Sequence, residues 1–179
     1  MATVVDGISA ELRRWIERQR MFFVATAPSG GDGHVNVSPK GHDSFRLLDD
    51  RTAVYLDLTG SGAETIAHVR ENGRITVMFC AFEGKPRIVR LHGQGTVLRP
   101  GEPGFEELVA LFPPLPGIRS LIGIRTDRVS SSCGYAVPLL EYQGQRDTLV
   151  DWAERRGPDG IESYWAEKNV VSIDGLPAI

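Results

Sequence analysis

The chain has 179 residues, 41% of them hydrophobic and 24% charged, with a formal net charge of −3. That balance belongs to one soluble globular domain, long enough to bury roughly two-thirds of its surface on folding. It excludes a general nucleic-acid binder, which would show a basic excess or stripe, and no apolar stretch approaches the length of a membrane span.

Ser9 is placed to cap a helix in which Leu12, Trp15, Ile16 and Gln19 share one face. The basic pairs Arg13-Arg14 and Arg18/Arg20 then fall on its solvated side. With Asp6 ahead of it and no apolar h-region, no signal peptide is expected. Met21 to Ala27 reads as a strand, ended by the hairpin signal Pro28-Ser29-Gly30-Gly31-Asp32-Gly33. His34 to Ser38 alternates, with Val35 and Val37 pointing one way and His34, Asn36 and Ser38 the other.

Val54 to Leu58 is a further strand. After it, Ser61-Gly62-Ala63-Glu64 matches a capping box, with Ser61 at the N-cap and Glu64 at the third helical position. That helix runs through Ile66 and Val69, and Gly73 supplies a left-handed stop. Ile75 to Cys80 is an apolar strand, so Cys80 reads as a buried thiol. The only other cysteine is Cys133; no disulfide framework is supported, and a reducing cytoplasm is expected.

Lys85 to Leu98 alternates again, with Arg90, His92 and Gln94 on one face and Val89 and Leu91 on the other. A helix from about Pro103 to Phe112 stops at Pro113-Pro114, and Arg119 to Val129 and Gly134 to Tyr142 read as strands. From Asp147 two helical stretches, Thr148–Arg155 and Ile161–Lys168, flank Gly157-Pro158-Asp159-Gly160, and an extended tail follows from Val171. The pattern predicts a mainly β chain with peripheral helices (α+β). Residues 1–146 form its body and 147–179 a C-terminal helical extension and tail of the same domain.

Three clusters carry candidate chemistry. Gly60-Ser61-Gly62 lies between a strand and a helix, the start of a dinucleotide fingerprint. The third small position falls at Thr65, however, and a hairpin of long strands follows, so a Rossmann unit is not supported. Asn36-Val37-Ser38-Pro39-Lys40-Gly41 puts polar side chains on one strand face with a cation at its end; a solvated turn is the alternative. Arg87, Arg90, His92 and Gln94 line one strand, where arginine forks suit phosphate and a solvated barrel exterior is the alternative. His34, His42, His68 and His92 lack zinc spacing, so no metal is expected. Ser130-Ser131-Ser132-Cys133 has no paired base, and no catalytic acid or base is assigned.

In order and spacing, Arg20 to Leu98 resembles the FMN-binding half of the pyridoxamine 5′-phosphate oxidase-like split β-barrel flavoproteins. Val35-Asn36-Val37-Ser38-Pro39-Lys40 stands where that family has the strand whose backbone meets the flavin ring. Tyr55-Leu56-Asp57 matches its Tyr-Thr-Asn strand end, and Arg87-Ile88-Val89-Arg90-Leu91-His92-Gly93 its Arg-Gln-Val-x-Val-x-Gly strand. The resemblance implies a split β-barrel homodimer with FMN at the interface, acting as an oxidoreductase on a small molecule. It places Val35, Asn36, Val37, Ser38, Pro39, Lys40, Tyr55 and Ile88 at the cofactor, and Thr59, Gly60, Ser61, Thr65, Arg87 and Arg90 toward the ribityl phosphate.

The family's phosphate-binding Arg-Lys pair is replaced here by Glu64-Thr65, or by Gly62-Ala63 if the gap falls differently, and its flavin-contacting Gln by Ile88. A capping-box Glu64 would also oppose a phosphate at the helix start. The substrate-phosphate set Tyr-x-x-x-Arg-x-x-x-Ser is missing from Phe105 to Pro116. These departures imply a divergent member that does not oxidise pyridoxamine phosphate. The alternatives are the deazaflavin F420, with Arg70, Arg74, Arg87 and Arg90 as a basic groove, and a non-enzymatic flavin or small-ligand binding protein.

Overall fold

The computed structural model describes residues 3–179. The strands are β1 (Thr3–Val5), β2 (Phe22–Thr26), β3 (Asn36–Lys40), β4 (Phe45–Leu47), β5 (Thr52–Leu58), β6 (Arg74–Cys80), β7 (Ile88–Leu98) and β8 (Ile118–Ser132). The helices are α1 (Ala10–Glu17), α2 (Glu64–Asn72), α3 (Phe105–Val109) and α4 (Thr148–Lys168). Among the described residues no helix is long and apolar enough to cross a membrane.

All eight strands join one antiparallel sheet in the order β3-β2-β6-β7-β8-β5-β4, with β1 added to β8. The sheet curls into a split half-barrel whose edge strands are β3 and β4. Its spine is β8, which pairs with β7, β5 and β1 along its length. The curl is sharpened where the β7–β8 register shifts between His92 and Gly93. A Cβ on Gly93 would lie 2.0 Å from the Arg125 carbonyl oxygen, so only glycine permits that approach.

Period-two alternation builds the core. Phe22 and Val24, Ile75, Val77 and Phe79, and Val89 and Leu91 all turn inward, and Leu12 and Ile16 of α1 and Ile66 and Val69 of α2 close over them. Phe22 lies 5.1 Å from Phe45 and 5.5 Å from Tyr55, and Phe45 lies 5.0 Å from Phe79, in tilted and edge-on pairs. The opposite face of β5, through Val54 and Leu56, packs with Leu121 beneath Phe105 and Phe112. Buried on both sides, β5 reads as a nearly continuous apolar run.

Ser9 caps α1 by accepting from the Leu12 amide at 3.2 Å, and Gly73 ends α2 in the left-handed region (φ 72°). The capping box does not form. Helix α2 begins at Glu64 after Ala63, with no side-chain cap, and the Glu64 carboxylate instead accepts from the Ile173 amide at 3.3 Å. A backbone donor from the tail has won the carboxylate. Gly134–Tyr142 is not a strand: the end of β8 that it follows is flanked by β7 and β1, and Leu140 makes one backbone bond, to Phe82 (2.9 Å). The helix expected from Pro103 to Phe112 is confined to Phe105–Val109. The last two helical stretches are continuous except for a kink at Gly157 (φ 66°). Strands β5 and β6 are not neighbours, which rules out a Rossmann unit around α2.

Candidate functional site

Strand β3 is an edge strand that, among the described residues, pairs only with β2, and its residues alternate between two environments. Asn36, Ser38 and Lys40 are half-buried, whereas Val37 is exposed (61%) and continues from exposed Val35 (69%). Across the open seam β3 faces β5 and α2. Lys40 Nζ reaches Asp57 Oδ1 at 3.4 Å, and Asn36 Nδ2 donates to Thr65 Oγ1 at 3.0 Å.

Behind that seam lies a buried charge cluster. Asp57 is fully buried; its Oδ2 accepts from Arg119 Nε at 2.9 Å and from Ser120 Oγ at 3.3 Å. Burial pushes the Asp57 carboxyl up, but Arg119 and then Lys40 override it and hold the group below its ordinary value. Arg119 Nη1 also donates to the Gly62 carbonyl and to Asn169 Oδ1, each at 2.8 Å. Buried Asn169, at the end of α4, donates to the carbonyls of Gly60 (3.1 Å) and Ser61 (3.5 Å). Thr59 Oγ1 donates to the Gly117 carbonyl at 2.7 Å and accepts from Trp165 Nε1 at 2.9 Å.

These contacts frame a cleft of about 510 Å³ between β3, the Gly60–Gly62 loop and the tail. Ser38, Lys40, Gly60 and Ser61 line it, joined by Arg119, Lys168 and Ser172. The size suits a small-molecule site. Glu64 also lines it, and a Cβ on Gly62 would meet the Glu64 carboxylate at 2.2 Å, so the acid folds back against the loop.

The other residues singled out in the sequence are distributed differently. Asn36 and Thr65 join Thr26 and His68 in a polar chain behind the cleft; Thr26 Oγ1 accepts from Asn36 Nδ2 (3.2 Å) and lies 3.0 Å from His68 Nδ1. Burial lowers the pKa of His68, and nearby carboxylates, Asp174 first, act against that. Tyr55 is fully buried in the aromatic core; among the described residues its hydroxyl makes no well-formed hydrogen bond, with the Thr65 side chain as its polar neighbour. Burial, with Asp57 adding to it, pushes the Tyr55 phenol well up.

On the outer sheet face the register puts Pro39, Phe23, Met78, Arg90 and Ser130 in one row, and Val37, Ala25, Thr76, His92 and Arg128 in the next. Arg90 donates to Ser132 Oγ (3.3 Å), and Ile88 opens the same strand. Burial, then Arg128 and Arg90, lower the pKa of His92, which pairs with Thr76 Oγ1 at 3.0 Å. Arg87 turns toward α1, bonding Ser131 Oγ (3.0 Å) and Glu11 (3.3 Å). Arg70 donates to the Ala178 carbonyl and Arg74 to that of Pro28, so the four arginines each serve a different partner and do not form one groove.

Arg119, Lys168, Asn169 and Ser172 carried no signal in the sequence. The one available hint was Asp57, an acid inside an otherwise apolar strand, which implies a buried cation nearby.

The family model described as pyridoxamine 5′-phosphate oxidase matches residues 8–133. The pyridoxamine 5′-phosphate oxidase family protein UstO of Aspergillus flavus is 38% identical over 202 aligned positions, spanning 100% of this chain and 78% of that protein. HupZ of Group A Streptococcus superposes with a TM-score of 0.53 at 24% identity, covering 68% of this chain and 91% of its own. A pyridoxamine 5′-phosphate oxidase-like protein of Lactobacillus delbrueckii gives 0.55 at 17% identity, covering 70% and 94%. The two structural likenesses speak for the fold alone. Lys168, Asn169 and Ser172 lie beyond the residues that the family model matches.

Proposed function

Because the chain belongs to the pyridoxamine 5′-phosphate oxidase family, as a divergent member, we propose that it is a flavin-dependent oxidoreductase. FMN would occupy the cleft between β3 and the Gly60–Gly62 loop, beside an interface between two copies of the chain. The observation that carries this reading is the Lys40–Asp57–Arg119 arrangement, which fixes a cation at the end of the edge strand beside a cleft of ligand size.

The residues present fit such a group. Lys40, Arg119 and Lys168 line the cleft with Glu64 as its one lining acid, while Asp57 pairs with Lys40 and Arg119 from behind and Glu167 pairs with Lys168. The first turn of α2 has no side-chain cap, so its N–H groups remain available to an anion. Pro39 sits on the edge strand, where its missing donor breaks no ladder bond. Val37, two residues earlier, turns its N–H to the same open side, where it suits a ring carbonyl.

When bound, the flavin supplies hydride or electron transfer. The chain's own residues bind, orient and tune. Lys40, held by Asp57, would stabilise negative charge on the nearby ring edge, while Ser38 and the loop would fix its orientation. Exposed Val35 and Val37, continuing into half-buried Phe23 and Met78, support a second copy packing on the outer face.

The visible absorption spectrum of the purified protein tests the reading, together with FMN titration followed by flavin fluorescence. The two visible bands of oxidised flavin, with one FMN bound per chain, are expected. The single band of F420 would move the assignment to a deazaflavin. A colourless protein that binds neither cofactor would overturn it, and bound FMN that neither NADH nor NADPH reduces would leave a binding module.

A further inference from the structure

The 147–179 extension has its own part in this cleft. Asn169 has no exposed surface and sits where α4 ends, held by its backbone N–H to the Trp165 carbonyl (2.9 Å). Its side chain uses both functions of the amide: the NH₂ donates to the Gly60 and Ser61 carbonyls, and the oxygen accepts from Arg119. Arg119 in turn takes the next carbonyl, Gly62. Three consecutive carbonyls are thereby drawn toward the protein interior. Among the described residues, the N–H groups of Ser61, Gly62 and Ala63 find no acceptor in the protein.

We propose that Asn169 is a positioning residue of the cofactor cleft. It turns the Gly60–Gly62 carbonyls inward, so that the loop offers its N–H groups to the phosphate end of the cofactor. The inference rests on the flavin reading above and adds that the C-terminal extension belongs to the site. Among the described residues no other side chain bonds both these carbonyls and Arg119. A hydroxyl or a neutral imidazole has a single donor beside its acceptor; an amide alone can donate to two carbonyls while its oxygen accepts from a guanidinium, and being neutral it leaves the Asp57–Arg119 charge balance intact. Preorganisation of this kind acts through the supporting shell rather than by contact with the ligand.

The probe is a pair of flavins, FMN and riboflavin, which differ by the phosphate. In the wild-type chain FMN should bind more tightly. In Asn169→Ala, FMN affinity should fall about tenfold, while riboflavin affinity stays within about twofold, so that the preference shrinks toward unity. Hydrogen–deuterium exchange with FMN bound should show protection over residues 61–63 in the wild-type chain and loss of that protection in the variant, with the β7–β8 ladder unchanged. If the alanine variant fails to fold, Asn169→Ser, which keeps a small donor and acceptor, should lose the same preference in part. An unchanged FMN-to-riboflavin ratio in a folded variant, or an equal loss for both flavins, overturns the role of Asn169. A wild-type chain that binds neither flavin, or binds both equally, overturns the flavin-phosphate reading itself and the inference with it.

Discussion

Lys40 and Asp57 join the edge strand β3 to β5 at 3.4 Å, across a seam where the two strands share no backbone pairing. The contact is a side-chain staple in place of a ladder. Its acidic member has no exposed surface and is shared with Arg119, so the seam is held open at a fixed width by charge rather than closed by main-chain bonds.

Stability should therefore carry an acid limb that Asp57 creates. Its native pKa is depressed, because Arg119 and Lys40 overcome the effect of burial. A depressed carboxyl contributes fully above its unfolded value of about 3.9, and the contribution is lost as pH falls through the folded value. Urea denaturation should show this contribution intact from neutral pH down to about pH 5 and shrinking below about pH 4, with the acid limb shallower in Asp57→Asn. Arg119→Ala strands a buried carboxylate and should cost about 3–5 kcal/mol at neutral pH.

Glu64→Gln separates two readings of the loop. Gln keeps an oxygen to accept from the Ile173 amide but removes the negative charge lying against Gly62. With the FMN phosphate at this end of the cleft, affinity by fluorescence titration should rise about threefold or more, equivalent to roughly 0.7 kcal/mol. An unchanged dissociation constant would place the phosphate elsewhere.

Tyr55→Phe should be silent toward the cofactor. Among the described residues the hydroxyl makes no well-formed hydrogen bond, only lying near the Thr65 side chain, and the ring belongs to the Phe22 cluster. Deleting an unsatisfied buried polar group should leave stability equal or raise it by about 1 kcal/mol in urea. A tenfold loss of FMN affinity would return Tyr55 to the contact surface that the family resemblance implies.

How legible these features are in the sequence depends on their range. Strands β2, β3 and β7 and the caps at Ser9 and Gly73 are written in patterns a few residues long. Strands β1 and β4, at three residues each, are too short to show a period. Gly134–Tyr142 carries strand-like residues but joins no ladder: the end of β8 that it follows is flanked by β7 and β1, which only the sheet order reveals. Ser38, Lys40, Gly60 and Ser61 can be read because they sit in compact motifs. Arg119 and Asn169 cannot, since Arg119 meets Asp57 from 62 residues away and Asn169 meets Arg119 from 50. The capping box looks complete locally and is undone by a competitor 109 residues distant.

Gly93→Ala should be among the most damaging small substitutions in the sheet. The added methyl would sit 2.0 Å from a backbone oxygen on β8, and neither strand has room to retreat without losing pairing on its other side. A loss of about 3 kcal/mol or more is expected by thermal or urea denaturation. Gly30→Ala, whose Cβ meets nothing within 4 Å, serves as the near-neutral control.

Val37→Glu tests the outer face. Light scattering should show the wild-type chain as a dimer and the variant shifted toward monomer, because a charge would be buried among the apolar side chains of a partner copy. A wild-type chain that is monomeric at micromolar concentration would remove the support for a paired site.

Strand β3 finally separates two kinds of evolutionary freedom. Its even-numbered residues from Asn36 to Lys40 face the seam, and Val37 and Pro39 between them belong to the outside. Mutation can therefore remodel the outer surface, and with it the company the chain keeps, without touching a residue that shapes the cleft. A change confined to the odd-numbered positions of this strand alters how copies of the chain meet, while the side chains that the strand itself contributes to the cleft stay the same.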